Sequence, residues 1–486
     1  MDKKLLQEVL DAALANGGDF ADVFVEKKKV TGIGMEAGRI ERVQSGYEVG
    51  AGIRVVTGEN TSYGYTNDLS KKGLVEAAKL VSHAAQSGKK EYNLDLTKLK
   101  PVVDFEFKKR PEDIATSDKV EVVKKAEKAA RSVDNQKIKQ VIAGYGDSVQ
   151  QITIANSNGN YVEDERVRTR LMVNAVASDG DNIQTGYDAL GSMCGFELFD
   201  HNDPEEFASK AANRAVEMLD AKPAPTGNMP CVMAAEAGGT MVHEACGHGL
   251  EADLVQRELS VYADKKGQKV ASDVVTVIDD ATLPNKYGSY RFDDEGVSSR
   301  PVELIKDGML TDFLYDRLTA TKEGREPNGH GRRQSYQEKP IPRMANTYIA
   351  SGETNPEEIV RETKEGIMVK KMGGGQVNTT TGDFVFDVAE GYLIKDGEVG
   401  ELVRGATLTG NGPEVLNIVD MVGNDLGFAI GTCGKDGQGV PVADAQPTMS
   451  IRQLLVGGTA EPVSPNGEIK RYTSDKPIKK NKIRRL

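Results

Sequence analysis

The sequence predicts an α+β fold: an N-terminal domain of antiparallel sheet with helices, then a mainly β C-terminal domain that carries a distorted HExxxH helix. In the first half, segments with apolar residues at helical spacing alternate with β-rich runs that end at turn residues. In the second half, glycine-containing turn pairs recur and few segments have helical spacing. The chain has 486 residues, whereas single cores stop growing at roughly 250–300 residues, so two or more domains are expected.

The elements of the first half follow from these patterns. The first helix has apolar residues at positions 5, 6, 9, 10, 13 and 14 and ends at Gly17-Gly18, where left-handed backbone is allowed. From 21 to 65, short β-rich runs broken by glycine are typical of an antiparallel meander. The remaining predicted elements are helices at about 70–86, 118–133 and 204–219 and strands within 138–190.

The domain boundary is predicted at the segment KPAPTG, residues 222–227, because proline and glycine there separate two patterned regions. The predicted domains are 1–221 and 228–468. Isolated helices are expected in the second domain at about 238–255 and 356–364. Residues 469–486 are rich in Lys and Arg and are expected to form a solvated basic tail.

Composition excludes several classes of function. The net charge of −12 and the pI of about 5.2 argue against nucleic-acid or anionic-membrane binding, which requires a basic surface. The N-terminal segment interrupts its apolar residues with charged ones, unlike a signal peptide, and no stretch approaches the roughly 20 apolar residues of a membrane span. Four cysteines in so long a chain do not form a disulfide framework, which indicates a reducing compartment and a cytoplasmic protein.

The run HEACGH at 243–248 carries the chemistry. In the HExxH helix of zinc hydrolases, the two histidines lie four residues apart on one helix face. Here one residue is added, so at about 100° per residue His243 and His248 would point about 140° apart on a regular helix. Two distortions can bring them together: a π-bulge, whose wider turn absorbs one residue, or an early helix end eased by Gly247 and Gly249.

A catalytic zinc ion needs a third protein ligand. Cys246 lies on the same element, but its direction depends on the distortion. Cys231 and Cys194 have apolar neighbours and are expected in the core. Cys433 lies in the glycine-rich segment GTCGKDGQG with a Lys two residues on, which favours a thiolate. This reasoning favours Cys433 over Cys246 and leaves both open.

Glu244 follows the first histidine, as the general base does in the HExxH motif. A divalent ion would polarise a substrate carbonyl and acidify a bound water, and Glu244 would take the proton and deliver it to the leaving amine. The expected reaction is therefore amide hydrolysis.

Seven segments of the second half resemble the TldD/PmbA family, specifically its metal-bearing TldD branch. Their number and order carry the resemblance. The segments are HEACGHGLEADL (243–254), DDEGV (293–297), GRRQSY (331–336), PIPRMANTYI (340–349), MGGGQVNTTTGDFVF (372–386), GATLTGNGPEVL (405–416) and GTCGKDGQGVPV (431–442).

This resemblance implies a cytoplasmic metallopeptidase in which His243, His248 and Cys433 hold one divalent ion per active subunit and Glu244 is catalytic. The ion is expected to be zinc, with Fe²⁺ as the alternative. The resemblance also implies an endopeptidase that cuts unfolded polypeptides or peptides with little sequence specificity. Such subunits pair as dimers, with a PmbA-type paralogue or with a second copy.

Substrate-binding residues are expected in two places. The strand-rich segment 376–386, beside Gly374 and Gly375, could add an extended peptide to a sheet edge, although an ordinary core strand beside a glycine turn explains the pattern equally well. Side chains that could orient substrate groups are Arg332, Arg333, Arg343 and His330.

Two other functions are compatible with parts of the sequence. A deformylase-like amide hydrolase also uses two His, one Cys and a Glu, but its cysteine precedes the helix, so Cys231 would be the ligand. A non-catalytic scaffold or regulatory subunit is the second alternative, and the presence of His243, Glu244 and His248 argues against it.

Overall fold

The computed structural model describes residues 1–85 and 95–459. The predicted basic tail 469–486 and position 86, the predicted end of the second helix, lie outside these ranges. About 44% of the residues described are in strands and 23% are in helices, which confirms the α+β class. None of the helices described is long and apolar enough to cross a bilayer.

The first half forms one seven-stranded sheet with five helices. The sheet order is β3-β2-β1-β5-β6-β4, and β7 pairs with β6; all pairs except β4–β6 are antiparallel. The elements are α1 (Lys3–Ala13), β1 (Phe20–Glu36), β2 (Arg39–Thr57), β3 (Asn60–Thr66), α2 (Lys71–Ala84), β4 (Thr97–Lys98), α3 (Thr116–Ser132), β5 (Ile138–Asn156), β6 (Asn160–Asp179), β7 (Asn182–Ser192), α4 (Leu198–His201) and α5 (Pro204–Asp220).

The strands of this sheet are longer than predicted. β1 has 17 residues and β2 has 19, so glycines such as Gly32 and Gly34 lie inside a strand and do not end it. β1 pairs along most of its length with both β2 and β5. Ladder hydrogen bonds on both sides therefore hold these glycines extended despite their low strand propensity.

The two faces of the sheet have different partners. Successive strand residues point to opposite faces, and the odd-numbered Val141, Ala143 and Tyr145 of β5 pack with α3 and α5. The even-numbered Ile152 and Ile154 pack with residues of the second half. Helices thus cover one face, and the second half of the chain docks on the other.

The second half contains sixteen strands and five short helices among the residues described. The strands are β8 (Lys222–Pro223), β9 (Gly227–Met233), β10 (Val277–Asp280), β11 (Pro301–Lys306), β12 (Met309–Leu310), β13 (Gly331–Arg332), β14 (Ile341–Pro342), β15 (Thr347–Ile349), β16 (Glu365–Val377), β17 (Asp383–Lys395), β18 (Glu398–Arg404), β19 (Thr407–Asn411), β20 (Val419–Val422), β21 (Gly427–Lys435), β22 (Gln438–Gln446) and β23 (Met449–Gly457). The helices are α6 (Thr240–Val242), α7 (Ala252–Gln256), α8 (Arg317–Lys322), α9 (Pro356–Glu362) and α10 (Gly412–Asn417).

Two sheets organise these strands. One has the order β12-β11-β10-β15-β22-β21, with β21 at its edge. In the other, the strands β16, β9, β23, β19 and β17 form a closed ring, because β16 also pairs with β17. The predicted linker is partly a strand, since Lys222–Pro223 pairs with β18 in parallel. A large apolar core fills the second half and includes Met241, Ala245 and Cys246 of the predicted metal helix.

Ion pairs and one aromatic residue hold the two halves together. Arg54 of β2 lies 2.7 Å from Glu295, and Arg166 of β6 lies 2.7 Å from Asp294. The ring of Tyr336 packs so closely on β2 that a Cβ at Gly50 would lie 2.2 Å from it. These contacts place the segment that contains Asp294 and Glu295, and the loop after β13, against the docking face of the N-terminal sheet.

Candidate metal centre

The predicted metal helix is broken into four short segments. α6 leads into a π turn over His243–Gly247, then a 3-10 turn over His248–Leu250, and finally α7. The His248 amide donates to the His243 carbonyl, the five-residue bond of a π turn. Of the two distortions expected from the extra residue, the π turn is present, and the His243 and His248 rings lie 4.9 Å apart between centroids.

Glycines in and beside the π turn serve a different purpose from the one the sequence suggested. Gly247 keeps helical backbone angles, with φ −52° and ψ −56°, so it does not end the helix by flexibility. A Cβ at Gly247 would lie 2.1 Å from Sδ of Met344, and one at Gly412 would lie 2.0 Å from the Ala245 carbonyl oxygen. These glycines are required because neighbouring segments pack directly against the π turn.

Cys433 of β21 completes the cluster. Ligand atoms of His243, His248 and Cys433 all lie within 4.8 Å of one another, and Cys433 Sγ is 3.6 Å from His248 Nε2. Tetrahedral zinc with ordinary Zn–N and Zn–S bonds holds nitrogen and sulfur about 3.6 Å apart. Two imidazoles and a thiolate are also ligands that zinc prefers. These residues therefore fit a divalent ion.

The other cysteines point elsewhere. Cys246 is buried in the core and its thiol donates to the Val242 carbonyl at 3.2 Å. Cys231 is fully buried on β9 beside Met233. Cys194 is buried near β6 and is not part of the cluster of His243, His248 and Cys433. The structure thus groups Cys433, and not Cys231 or Cys246, with the two histidines.

Each histidine has a carboxylate partner that the sequence reasoning missed. Asp444 Oδ1 of β22 lies 2.9 Å from His243 Nδ1, and Glu251 Oε2 lies 3.1 Å from His248 Nδ1. A carboxylate on Nδ1 orients the ring and leaves Nε2 for a metal. Glu251 follows His248 by three residues, a helical spacing that could have indicated it. Asp444 had no such local signal.

The charges around the cluster favour the thiolate form of Cys433. Burial raises the pKa of its thiol, but hydrogen bonds with His243 and His248 lower it more, to about 5. Burial lowers the pKa of His248, whereas Glu251 and Cys433 raise it to about 9. A thiolate is the form of cysteine that binds metals, so the surroundings of Cys433 favour the form that a metal ion would need.

Glu251 is itself held as a charged group. It is fully buried, and Lys435 Nζ lies 3.1 Å from Oε2. Burial raises the pKa of Glu251, but Lys435 and His248 lower it to about 2. Arg343 Nε lies 3.9 Å from Oε1, and Arg343 also donates to the Cys433 carbonyl oxygen. These cations tie the carboxylate behind His248 to the strand that carries Cys433.

Glu244 lines a cleft of about 360 Å³. His243, His248 and Cys433 also line this cleft, as do Gly375 and Val377. Burial raises the pKa of Glu244, and the charges of His243 and His248 oppose that shift. Within residues 1–85 and 95–459, its carboxylate has no hydrogen-bond or ion-pair partner. It is therefore free to bind a substrate group or a water molecule.

The remaining predicted site residues lie in three different places. Gly375 lines the cleft and Gly374 is exposed beside it. His330 is fully buried outside the cleft, with Nδ1 3.2 Å from the Asn328 carbonyl and Nε2 3.0 Å from Asp279. Arg332 and Arg333 line a separate cavity. Both ring nitrogens of His330 are already engaged, which explains its burial as part of the core.

Family models match most of the chain. The PmbA/TldA metallopeptidase domain 1 matches residues 21–85, the central domain of that metallopeptidase matches 109–219, and its C-terminal domain matches 226–458. The C-terminal match contains the whole metal cluster and both carboxylate partners.

Relatives extend the match over nearly full length. A metalloprotease of Methanothermobacter thermautotrophicus is 36% identical over 91% of this chain and 96% of its own. A metalloprotease TldD homolog of Haemophilus influenzae is 34% identical over 93% and 96%. A zinc metalloprotease TldD homolog of Saccharolobus solfataricus is 27% identical over 91% and 97%.

Solved structures share the fold. A proposed DNA gyrase modulator of Thermotoga maritima superposes with a TM-score of 0.78 at 24% identity, covering 94% of this chain and 100% of that one. TldE of Thermococcus kodakarensis superposes with a TM-score of 0.74 at 20% identity, covering 93% and 100%. With the family models and the relatives above, these findings show that the chain belongs to the TldD/PmbA family of metallopeptidases.

Proposed function

We propose that the chain is a metal-dependent endopeptidase of low sequence specificity that acts on unfolded polypeptides or peptides. The observation that carries the proposal is the grouping of His243, His248 and Cys433 in the same cleft as the partner-free carboxylate of Glu244. A divalent ion held by these three residues would polarise a peptide carbonyl and acidify water.

Glu244 acts as the general base in this proposal. Its carboxylate accepts the proton of the attacking water and returns it to the leaving amine. Partial burial keeps the carboxylate more basic than in water. Asp444 and Glu251 hold the two imidazoles so that Nε2 stays on the side of Cys433.

A strand edge at the cleft that is unpaired among the described residues supports low specificity. β9 pairs with β16 only at Ile367–Val369. Farther along β16, residues 375–377 pair with β17 on one side and line the cleft. An extended peptide could add to this edge through backbone hydrogen bonds, which do not depend on side chains. A Cβ at Gly374 would have nothing within 4 Å, so this position has room for a peptide backbone, and Gly375 beside it lines the cleft.

The metal, the oligomeric state, the location and the domains complete the proposal. Zinc is proposed because the donor set suits it and a relative is named a zinc metalloprotease; Fe²⁺ is the alternative. A dimer, with a PmbA-type paralogue or a second copy, is proposed from the family and the TldE fold match. A cytoplasmic location is proposed because all four cysteines are free thiols. We further propose that residues 1–221 and 228–468 are the two domains.

The test compares metal content with cleavage of a casein-like unfolded protein. Glu244→Gln should keep stoichiometric metal and lose activity by roughly 10²-fold to 10⁴-fold, since it removes the base. Glu236→Gln, an exposed position, is the matched control. A Glu244→Gln enzyme with unimpaired turnover and full metal content would contradict the assignment of the base.

The third ligand is tested with two cysteine variants. Cys433→Ser should reduce bound metal strongly, whereas Cys231→Ala should keep it, because Cys231 lies in the core of β9. The opposite result would favour the deformylase-like ligand set. Metal with no cleavage by the isolated chain, and cleavage after a PmbA-type partner is added, would show that activity requires the heterodimer.

A further inference from the structure

A second cavity lies between the docking face of the N-terminal sheet and the β21–β22 hairpin. Its volume is about 520 Å³, and β1, β2, β5 and β6 form one wall while β13, β21 and β22 contribute the other. Arginines dominate the lining: Arg42, Arg166, Arg168, Arg170, Arg332 and Arg333. We call it the arginine cavity.

The carboxylates of this lining do not balance the arginines. Asp147 lies 2.6 Å from Lys119, and Asp294 lies 2.7 Å from Arg166. In the part of the chain that the structure describes, Arg168 and Arg332 form no ion pair. The cavity therefore has an excess of positive charge at its wall.

The guanidinium groups of Arg168 and Arg332 are buried and bind only neutral oxygens. Arg168 is 5% exposed and donates to the carbonyls of Tyr287 at 2.7 Å and Ser289 at 2.9 Å. Arg332 is 3% exposed and donates to the Pro441 carbonyl at 2.8 Å. A guanidinium has five N–H donors, so neither group is saturated by these bonds. Buried charges normally have a counter-charge.

The pKa of Arg168 is lowered in this arrangement. Burial lowers it, and the neighbouring charges of Arg166 and Arg332 lower it further, to about 9. Arg166, Arg168 and Arg170 are alternate residues of β6 and so share the face that looks toward the second half. The sheet thus places three arginines in a row against the cavity.

The arginine cavity adjoins the metal cleft. Thr432 lines both, and it directly precedes Cys433. It pairs with Pro441, whose carbonyl binds Arg332. Because β21 is an edge strand, an extended chain in the metal cleft can continue past Thr432 into the cavity.

We propose that the arginine cavity binds a carboxylate of the peptide substrate, beyond the residues held at the metal cleft. The carboxylate belongs to the substrate's C-terminus or to an acidic side chain near it. This inference rests on the proposed peptidase function, and it adds a preference for acidic or C-terminal segments to an otherwise sequence-tolerant site. Charge-assisted hydrogen bonds to Arg168 and Arg332 supply that preference.

Binding is measured first, with metal-free protein, so that the result does not depend on catalysis. Three fluorescent peptides share one sequence and differ in ending: a free C-terminal carboxylate, an amide, or a glutamate followed by an amide. We expect the carboxylate-bearing peptides to bind about 10-fold to 100-fold more tightly than the plain amide, the range for hydrogen bonds to charged groups. The free-acid and glutamate peptides, compared with each other, distinguish the two sources of the carboxylate.

Variants locate the effect. Arg168→Gln should abolish the difference between acid and amide peptides, and Arg170→Gln, at an exposed wall position that tolerates change, should reduce it. Arg300→Gln, an exposed arginine outside the cavity, should keep it. Equal binding of all three peptides to the wild-type chain would overturn the proposal. The proposal would also be overturned if Arg170→Gln and a folded Arg168→Gln both kept the full preference for acid endings.

Cleavage by the metal-loaded chain is the second readout. The preference should appear as a lower KM for the carboxylate-bearing peptides than for the plain amide. If the loaded enzyme cleaves none of the peptides, either alone or with a PmbA-type partner, while metal-free protein still prefers acid endings, the peptidase proposal fails and the carboxylate site stands. Cleavage with no preference in KM or in binding would refute the carboxylate site alone.

Discussion

Glu251→Gln is the substitution that most directly tests how the fold supports the metal site. Glu251 is fully buried and contacts three groups: His248 Nδ1 at 3.1 Å, Lys435 Nζ at 3.1 Å and Arg343 Nε at 3.9 Å. The amide of Gln has nearly the same shape but no charge. The variant therefore removes the electrostatic part of these contacts and leaves the packing nearly unchanged.

Two effects of different size are expected. Removing one partner of a buried ion pair costs roughly 3–5 kcal/mol. Lys435 keeps Asp253 at 2.6 Å, so we expect the low end, about 3 kcal/mol, in the metal-free chain. Loss of the carboxylate behind a metal-binding imidazole lowers metal affinity roughly 10-fold to 100-fold, and the same loss is expected here.

Urea unfolding of the metal-free chain measures the first effect, and competition with a chromophoric chelator measures the second. Glu258→Gln, an exposed position in the same region, serves as the control and should change neither quantity. If folded Glu251→Gln bound zinc within twofold of the wild-type chain, the carboxylate would not support His248, and the assignment of its role would be refuted.

Further predictions concern stability and packing. His330→Phe should lower the free energy of unfolding by about 3 kcal/mol, because it removes the partner of the buried Asp279 carboxylate. The variant should leave KM unchanged. A tenfold rise in KM would instead make His330 a substrate-binding residue. Burial raises the pKa of Asp279, but His330 lowers it below 3.8. The stabilisation from the His330–Asp279 pair is therefore present above pH 3.8 and is lost on further acidification. In urea titrations, the difference in unfolding free energy between wild type and His330→Phe should be smaller at pH 3 than at pH 7. Gly412→Ala should destabilise the chain by roughly 1–3 kcal/mol and lower metal affinity, since its Cβ would lie 2.0 Å from the Ala245 carbonyl in the π turn, whereas Gly34→Ala, with open space around it, should not affect metal binding.

Local patterns were sufficient for much of the fold. Apolar residues at helical spacing identified α3 and α5 to within two residues at each end, whereas α1 ends at Ala13, four residues before Gly17. Such stripes form wherever a helix packs on a sheet. Strand ends were less predictable. Gly32 and Gly34 suggested breaks, but pairing on both sides of β1 keeps them in the strand, and that pairing involves residues far away in sequence.

By itself, the sequence determined that His243 and His248 could bind one ion only through a widened or interrupted helix, because the spacing of side chains along a helix is a local property. Tertiary structure decided the rest of the centre. Cys433 is 185 residues from His248, and Asp444 reaches His243 only because β22 pairs with β21. The tertiary structure also placed His330 in the core and Arg332 at a cavity separate from the metal cleft. Such contacts depend on how sheets pack, which no short segment of the chain specifies.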